Sequence, residues 1–266
     1  MKFLLLATVT AFVLASAAMA TDVVDPALLN AVQNPARSPN FVARDKYRHP
    51  VEELTFLGLR PDATVMEIWP GGGYWSEILA PYLHDRGTYY TPVEAGGDWA
   101  KYSTTFRKKV AADPKTYEHV HITEMGQGFD DIAPPQSVDL VLDTRNFHNW
   151  MDIGDVPEML ADIKRVLKPG GILVIEDHRA LDSVPQDPKA ENGYVRQDFV
   201  IDAAKKSGFE FVEASELLAN PKDTKNWPQG VWTLPPTFAL GDKDHAKYAA
   251  IGEADNMLLK FRKPAS

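Results

Sequence analysis

The stretch VMEIWPGGGYWSEILA, residues 65–80, has the pattern of a buried strand that passes through a glycine turn into a helix. Glycine adopts the dihedral angles of a tight turn and lets a ligand approach the backbone closely. The N–H groups at the start of the following helix favour anionic groups. On its own, a turn of three glycines is a weak signal, because many such loops bind nothing.

Strand-like apolar runs alternate with helical patterns along the rest of the chain, which is typical of a parallel sheet with crossover helices. The predicted strands are residues 64–69, 88–93, 117–122, 138–143, 172–176, 209–214 and 257–262. The main predicted helices are residues 51–58, 74–84, 99–112, 155–167 and 194–207, each with apolar residues three and four positions apart. We therefore predict an α/β protein with seven strands in one sheet.

Two long segments, residues 179–193 and 221–256, fit neither a strand nor a helix pattern. Loops of that length in a compact domain are usually functional covers or disordered. The second segment carries Trp227 and Trp232, with Phe238 and Tyr248 further on. Aromatic residues of this kind favour a cover insertion that lines an apolar substrate pocket or completes the core.

Glu94 lies at the end of the second predicted strand, 21 residues beyond Gly73. An acidic side chain at this place in nucleotide-binding sheets accepts hydrogen bonds from ribose hydroxyls. The alternative is a solvated loop residue. Gly71, Gly73 and Ser76 also come close to the glycine pattern of dinucleotide-binding folds, so an NAD-dependent oxidoreductase is one hypothesis at this point.

Four downstream stretches resemble class I S-adenosylmethionine-dependent methyltransferases. RVLKPGGILVIED resembles the region of the fifth strand, and SVDLVLDTRNFHNWMD the fourth strand with the segment after it. SGFEFVEASELL and NMLLKFRKP resemble the closing strands. The resemblance implies a Rossmann-like sheet in the order 3-2-1-4-5-7-6, with the seventh strand antiparallel and helices on both faces, and it implies S-adenosylmethionine as the cofactor.

The chain is similar, more narrowly, to a bacterial group of exported methyltransferase-like proteins. The motifs that carry this similarity are RDKYRHPVEELTFLGLRP, PGGGYWSEILAPYL, RNFHNW, EDHRA and LLKFRKP. The larger family has glycine where this chain has Trp69. Because a tryptophan does not readily adopt glycine conformations and Pro70 restricts the residue before it, we predict that Trp69 extends the strand and that the turn begins later.

The cofactor site implied by the resemblance lies at the carboxyl ends of the first four strands. Glu67 would hold the methionine end of the cofactor or the loop itself, and Glu94 would bind the ribose. For Asp143 the alternatives are the amino group of the ligand or a turn at the strand end. The predicted cofactor-binding residues are Glu67, Gly71, Gly72, Gly73, Glu94, Glu124, against the adenine amino group, and Asp143.

Methyl transfer depends mainly on positioning, and a base helps when the acceptor is a protonated oxygen or nitrogen. The candidates are His148 and His178, each at the carboxyl end of a predicted strand. His148 could instead cap a helix, and His178, oriented by Asp177, could anchor a loop. Arg145 is the candidate for an acidic substrate group, or a structural arginine. We predict no metal site, because the histidines form no ligand set and cysteine is absent.

Residues 1–20 have the pattern of a signal peptide, with Lys2 before an apolar run and Ala18-Met19-Ala20 at the cleavage site. We expect one domain over residues 21–266, in the periplasm or secreted, without membrane association after cleavage. The net charge of −9 and the absence of basic runs argue against a nucleic-acid partner and leave a small-molecule substrate. The favoured function is methyl transfer; a noncatalytic periplasmic ligand-binding protein on the same fold is the main alternative, and the oxidoreductase is disfavoured.

Overall fold

The sheet of the protein has seven strands in the order β3-β2-β1-β4-β5-β7-β6. The computed structural model describes residues 24–96 and 100–265, so the predicted signal peptide, residues 1–20, lies outside the described residues. The strands are β1 (Thr64–Ile68), β2 (Thr88–Glu94), β3 (Val120–Met125), β4 (Val138–Thr144), β5 (Leu167–His178), β6 (Glu210–Ser215) and β7 (Asn256–Arg262). β1 to β5 pair in parallel, whereas β7 runs antiparallel between β5 and β6. The predicted sheet order is confirmed.

Helices surround this sheet, and the five predicted helices are present with bounds within three residues of the predicted ones. The helices are α1 (Pro26–Val32), α2 (Pro39–Val42), α3 (Asp45–Arg48), α4 (Pro50–Leu57), α5 (Ser76–Leu83), α6 (Ala100–Ala112), α7 (Pro114–Tyr117), α8 (Phe147–Ile153), α9 (Val156–Val166), α10 (Gln197–Lys206) and α11 (His245–Ile251). A short separate strand, Pro228–Val231, and α11 lie in the predicted cover, so this segment has regular elements that the sequence pattern did not indicate. Over residues 24–96 and 100–265, no helix is both long and apolar enough to cross a bilayer.

Two predicted boundaries are wrong, for identifiable local reasons. β3 begins at Val120 and not at residue 117, because the residues before it form α7, whose first turn is capped by the Asp113 side chain. The sequence predicts a helix that ends at residue 167 and a strand that begins at residue 172, with residues 168–171 as the turn between them. These residues belong to β5 instead, since Leu167 pairs with Val138 across a register shift.

The core is divided between the two faces of the sheet, as the side-chain period of two requires. Val141 of β4 belongs to one buried apolar cluster, which includes residues of α8, α9 and α10. Its neighbours Leu140 and Leu142 belong to the other, which includes residues of α1, α4 and α5. The carboxyl ends of the parallel strands are thereby held at one rigid edge of the sheet, where ligands of open α/β sheets bind.

Trp69 does not extend β1, contrary to the prediction from its size. β1 ends at Ile68, and Trp69 itself has a left-handed backbone with φ 46°. The side chain is buried, its indole N–H donates to the Met125 carbonyl at 3.1 Å, and its backbone N–H donates to Pro92. Because glycine adopts this conformation without the steric cost of a Cβ, the position explains why the larger family has glycine here.

Glu67 is tied to the start of α5 and not to the open end of the sheet. Glu67 is 1% exposed, and its carboxyl group accepts from the Ser76 hydroxyl at 2.6 Å and also contacts the Tyr89 hydroxyl. Burial raises the pKa of Glu67 to about 7, although both hydroxyl contacts act to lower it. Of its two predicted roles, this geometry corresponds to holding the loop.

We expect glycine to be a better replacement than alanine at Trp69. Trp69→Ala loses the buried indole at a cost of about 3–5 kcal/mol and keeps a Cβ in the left-handed region. Trp69→Gly removes that Cβ and should be more stable than the alanine variant by about 1 kcal/mol. Urea unfolding measures both, with Trp75 (φ −71°) as the matched control, where alanine should be the better replacement. An alanine variant more stable than the glycine variant at Trp69 would contradict this explanation.

The raised pKa of Glu67 predicts a specific pH dependence of stability. Between its ordinary value near 4.5 and about 7, the folded state binds a proton that the unfolded state has lost. The free energy of unfolding should therefore fall by roughly 3 kcal/mol across this window, and Glu67→Gln should remove the fall.

Glu77 serves as a control, because its contribution to the free energy of unfolding has the opposite dependence on pH. It is partly buried, which acts to raise its pKa, but hydrogen bonds from Lys109 and Ser38 bring the pKa below its usual value. Its contribution to stability is therefore lost as the pH falls through that lowered value, and Glu77→Gln should remove this acid-side loss. Denaturant unfolding at a series of pH values measures both variants; an unchanged slope in Glu67→Gln would refute the assignment.

Candidate active site

A cavity of ≈ 450 Å³ lies at the carboxyl ends of β2, β4 and β5. Its walls combine polar residues from the strand ends with residues of the predicted cover. The lining consists of Arg44, Glu94, Tyr102, Arg145, His148, Asn149, His178, Val231, Trp232, Pro235, Pro236, Thr237 and Ala254. Segments distant in sequence therefore meet at the edge of the sheet where the ligand is expected.

Glu94 provides an unsatisfied acceptor to this cavity. Its side chain is 7% exposed, and its Oε2 atom has no hydrogen-bond partner within the described part of the chain. Burial raises the pKa of Glu94 above its ordinary value. A buried carboxyl oxygen without a donor is costly, so the position suits a ligand that brings hydroxyl groups to it. A ribose has this chemistry.

The three glycines of the turn differ in how much space they leave. Gly71 has a left-handed backbone (φ 56°), and a Cβ added to it would meet nothing within 4 Å. A Cβ on Gly72 would lie 3.3 Å from the Phe41 ring, and one on Gly73 would lie 2.9 Å from the Lys109 side chain. The close approach predicted for the ligand is thus open at Gly71, whereas the chain itself covers Gly72 and Gly73.

Of the seven predicted cofactor residues, Glu94 lines the cavity, whereas the three glycines, Glu124 and Asp143 do not. Glu124 is about half exposed and pairs with Arg107 of α6 at 2.7 Å. Glu124 belongs to the edge strand β3. Its side chain turns to the outer surface and does not reach the cavity. Asp143 is completely buried, and burial raises its pKa well above the usual value, with Asp177 adding to the shift. Glu67 is likewise absent from the lining.

His148 and Asp177 form a buried pair below the cavity. His148 Nδ1 lies 2.9 Å from Asp177 Oδ1, and the backbone N–H of His148 donates to Asp177 Oδ2 at 2.8 Å. Burial acts to raise the pKa of Asp177, but the His148 contacts bring it below its ordinary value. An ionised carboxylate only accepts, so the His148 proton belongs on Nδ1 and Nε2 is left as a base. The carboxylate was expected to orient His178; it orients His148 instead.

His178 lies beside this pair, with its ring centre 5.4 Å from that of His148. Its Nδ1 is 2.7 Å from Asn256 Oδ1, at the start of β7. Burial lowers the pKa of His178 to about 4, so the ring is neutral at pH 7 and a weak base. Of the two predicted bases, His148 therefore has the better environment for accepting a proton.

His148, Asp177 and His178 each have a possible metal ligand within 4.8 Å of the other two. Both Asp177 oxygens already accept N–H bonds from His148 and His178. The positive charge of Arg145 also acts on His178. The arrangement therefore suits proton handling better than cation binding.

Arg145 is embedded in a network of buried ion pairs. Its Nε donates to Glu176 at 2.6 Å and its Nη1 to Glu253 at 2.5 Å. Glu176 also accepts from Arg48, and Glu253 from Arg44. Arg145 is thus both a lining residue and a structural one, and the two roles proposed from the sequence are not exclusive.

Several participants were not foreseen from the sequence. Arg44 precedes α3, and Asn256, which holds His178, begins β7. Glu253 is 108 residues away from the Arg145 side chain that it binds. Arg44 lies within the RDKYRH motif and Asp177 within EDHRA, so the motifs contained a signal, but local spacing could not reveal which side chains meet.

Residues 109–230 match a protein-family model described as a methyltransferase domain. The match runs from α6 to the short strand of the cover, so it includes Arg145, His148 and His178 but neither the glycine turn nor Glu94. A search of curated protein sequences found no match.

Solved structures with the same fold cover most of the chain. An S-adenosylmethionine-dependent methyltransferase from Aquifex aeolicus has a TM-score of 0.56 and 16% identity, covering 90% of this chain and 98% of its own. The cyclase SpnF has a TM-score of 0.55 and 16% identity, covering 90% and 92%. Phosphoethanolamine N-methyltransferase 2 of Haemonchus contortus, solved with S-adenosylmethionine, has a TM-score of 0.54 and 14% identity, covering 91% and 60%.

The sheet order, with its antiparallel seventh strand, is that of the methyltransferase fold of these structures. The family-model match over residues 109–230 lies within this fold. At these identities the structural likeness concerns the fold. The chain therefore has the fold of the S-adenosylmethionine-dependent methyltransferases, and its residues 109–230 match the model of a methyltransferase domain.

Proposed function

We propose that the protein is an S-adenosylmethionine-dependent methyltransferase that acts on a small molecule. The observation that supports this most directly is that Glu94, with an unsatisfied buried oxygen, and the His148–Asp177 pair border the same cavity. Glu94 suits the sugar of a nucleoside cofactor, and the His148–Asp177 pair suits proton removal from an acceptor. The methyltransferase domain match includes the His148–Asp177 pair.

The cofactor would be held by Glu94 at its ribose and by the open backbone at Gly71. When bound, S-adenosylmethionine supplies a methyl group that is activated by attachment to a positively charged sulfur. Glu67 would contribute indirectly, since it fixes Ser76 at the start of the helix after the turn. We leave Glu124 and Asp143 out of this assignment, because Glu124 is paired with Arg107 on the surface and Asp143 is completely buried.

His148 would accept the proton of the acceptor at Nε2, while Asp177 holds the ring and stabilises the charge that develops on it. His178 would stay neutral and present a second nitrogen to the cavity. Trp232 lies against His148 at 6.1 Å between ring centres and belongs to the cover. With Pro235 and Pro236, it would keep water away from the reacting groups.

The predicted export and the similarity to the exported bacterial group form a further part of this proposal. We infer a periplasmic or secreted enzyme with no nucleic-acid partner. The second hypothesis is a noncatalytic ligand-binding protein on the same fold. The His148–Asp177 pair favours catalysis, because a binding protein has no use for an oriented base.

Binding of S-adenosylhomocysteine should separate the methyltransferase from the NAD-dependent oxidoreductase. We expect micromolar binding by calorimetry, no binding of NAD, and a loss of about 10-fold or more in affinity for Glu94→Ala. Glu124→Ala removes the same carboxyl group from an exposed position and should leave the affinity unchanged. Heat with NAD alone would support the oxidoreductase, and no heat with any of these ligands would refute a nucleoside site.

The tautomer of His148 tests the proposed base without knowledge of the acceptor. NMR of the ring nitrogens should find the proton on Nδ1 at neutral pH, because Asp177 accepts it. Asp177→Ala should abolish this preference, whereas Asp139→Ala, which changes a carboxylate paired with Lys168 elsewhere, should not. Circular dichroism verifies that both variants fold. A proton on Nε2 in the unaltered protein would exclude His148 as the base.

A further inference from the structure

Two arginines contribute positive charge to the cavity wall. Arg44 and Arg145 both line the cavity, with 18% and 11% of their side chains exposed. They share one carboxylate, Glu253, which Arg44 contacts at 2.6 Å and Arg145 at 2.5 Å. Arg145 Nη2 is buried and has no hydrogen-bond partner within residues 24–96 and 100–265. The guanidinium pair is therefore incompletely neutralised.

The buried groups behind these arginines do not supply the missing negative charge. Arg48 and Arg145 share Glu176, which is fully buried. Glu53 lies in the same network, but both its oxygens are buried without a partner, so its neutral form is favoured. Three guanidinium groups thus face two ionised carboxylates. The nearby Asp177 is already occupied by N–H donors from His148 and His178.

The position of these arginines within the fold separates them from the nucleoside end of the site. Glu253, which anchors both, lies just before β7, and β7 pairs with β5. The glycine turn and Glu94 belong to β1 and β2, on the other side of β4. Arg44 and Arg145 therefore lie over the half of the sheet that carries the two histidines, where an acceptor would bind.

The cover adds an aromatic surface next to this charge. Trp232 is 37% exposed and lines the cavity beside His148, and Tyr102 of α6 lines it as well. Rings of this kind bury planar or apolar ligand surface at little entropic cost. A cavity with this composition suits a ligand that has an apolar body and an acidic group.

We propose that the acceptor is a small acidic molecule whose carboxylate or phosphate binds to Arg44 and Arg145, with its apolar part against Trp232. Arginine is suited to both anions, because its planar donors match their oxygens. The identification of this ligand as the methyl acceptor rests on the proposed function. The anion site itself does not.

The purified protein is titrated calorimetrically with benzoate, phenyl phosphate and benzamide. Benzamide has nearly the shape of benzoate without its charge. We expect benzoate or phenyl phosphate to bind at least about 10-fold more tightly than benzamide, and the tighter of the two identifies the anion. Arg44→Gln should remove this advantage. Arg60→Gln, a surface arginine that is 62% exposed and paired with Asp62, should retain it.

Arg44→Lys serves as a second variant, because it preserves a positive charge beside Glu253 if the glutamine variant unfolds. It should retain part of the preference for the anion. Equal binding of benzamide and both anions, no binding of either anion at millimolar concentration, or equal effects of Arg44→Gln and Arg60→Gln would overturn the proposal.

Titration with S-adenosylhomocysteine distinguishes failure of the anion-site proposal from failure of the proposed methyltransferase function. Arg44→Gln should leave the affinity for S-adenosylhomocysteine unchanged. If the variant weakens S-adenosylhomocysteine and leaves the benzoate titration unaltered, Arg44 serves the amino-acid end of the cofactor and the proposal is overturned. If S-adenosylhomocysteine does not bind at all while the anion preference depends on Arg44, the anion site stands and the methyltransferase assignment fails.

Discussion

The carboxyl ends of β4 and β5 depend on the buried ion pairs of Arg145. Its backbone has a left-handed φ of 63°, its N–H donates to the Glu176 carbonyl at 2.6 Å, and its side chain bridges Glu176 and Glu253. Buried ion pairs of this kind contribute little net stability compared with apolar packing, but leaving one partner unpaired is costly. The network therefore fixes the residues on either side of it, including His148 and His178, in one arrangement.

Buried contacts also hold the strained backbone of Trp69 in place. The left-handed backbone at this position is unfavourable for a tryptophan, and the surrounding contacts, burial of the indole and its bond to Met125, outweigh that cost. The glycine turn keeps its usual place after β1 as a result. The side chain that replaces glycine fills space under the turn between β1, β2 and β3, so a local irregularity is linked to the packing of three strands.

The site divides into two halves that different parts of the chain supply. Glu94 and Gly71 come from the first crossover of the sheet, whereas His148, Asp177 and Arg145 come from the fourth and fifth strands. The cover closes over the second half and is itself held by Asp223, which accepts from Tyr194 and Trp227. In the proposed function, the first half would hold the nucleoside of the cofactor and the second half the methyl acceptor.

The sequence by itself determined the sheet, because hydrophobic period, glycine turns and strand-like runs are local properties, and the resemblance supplied the order of the strands. It also placed Glu94, Arg145, His148 and His178 at strand ends. Only the tertiary structure decided that Trp69 bends the backbone, that Glu124 faces outward, and that Asp177 orients His148 and not its own neighbour. These outcomes depend on contacts between side chains that are distant in sequence, such as Arg145 with Glu253. Such contacts produce no periodic pattern in the sequence, so local spacing does not predict them.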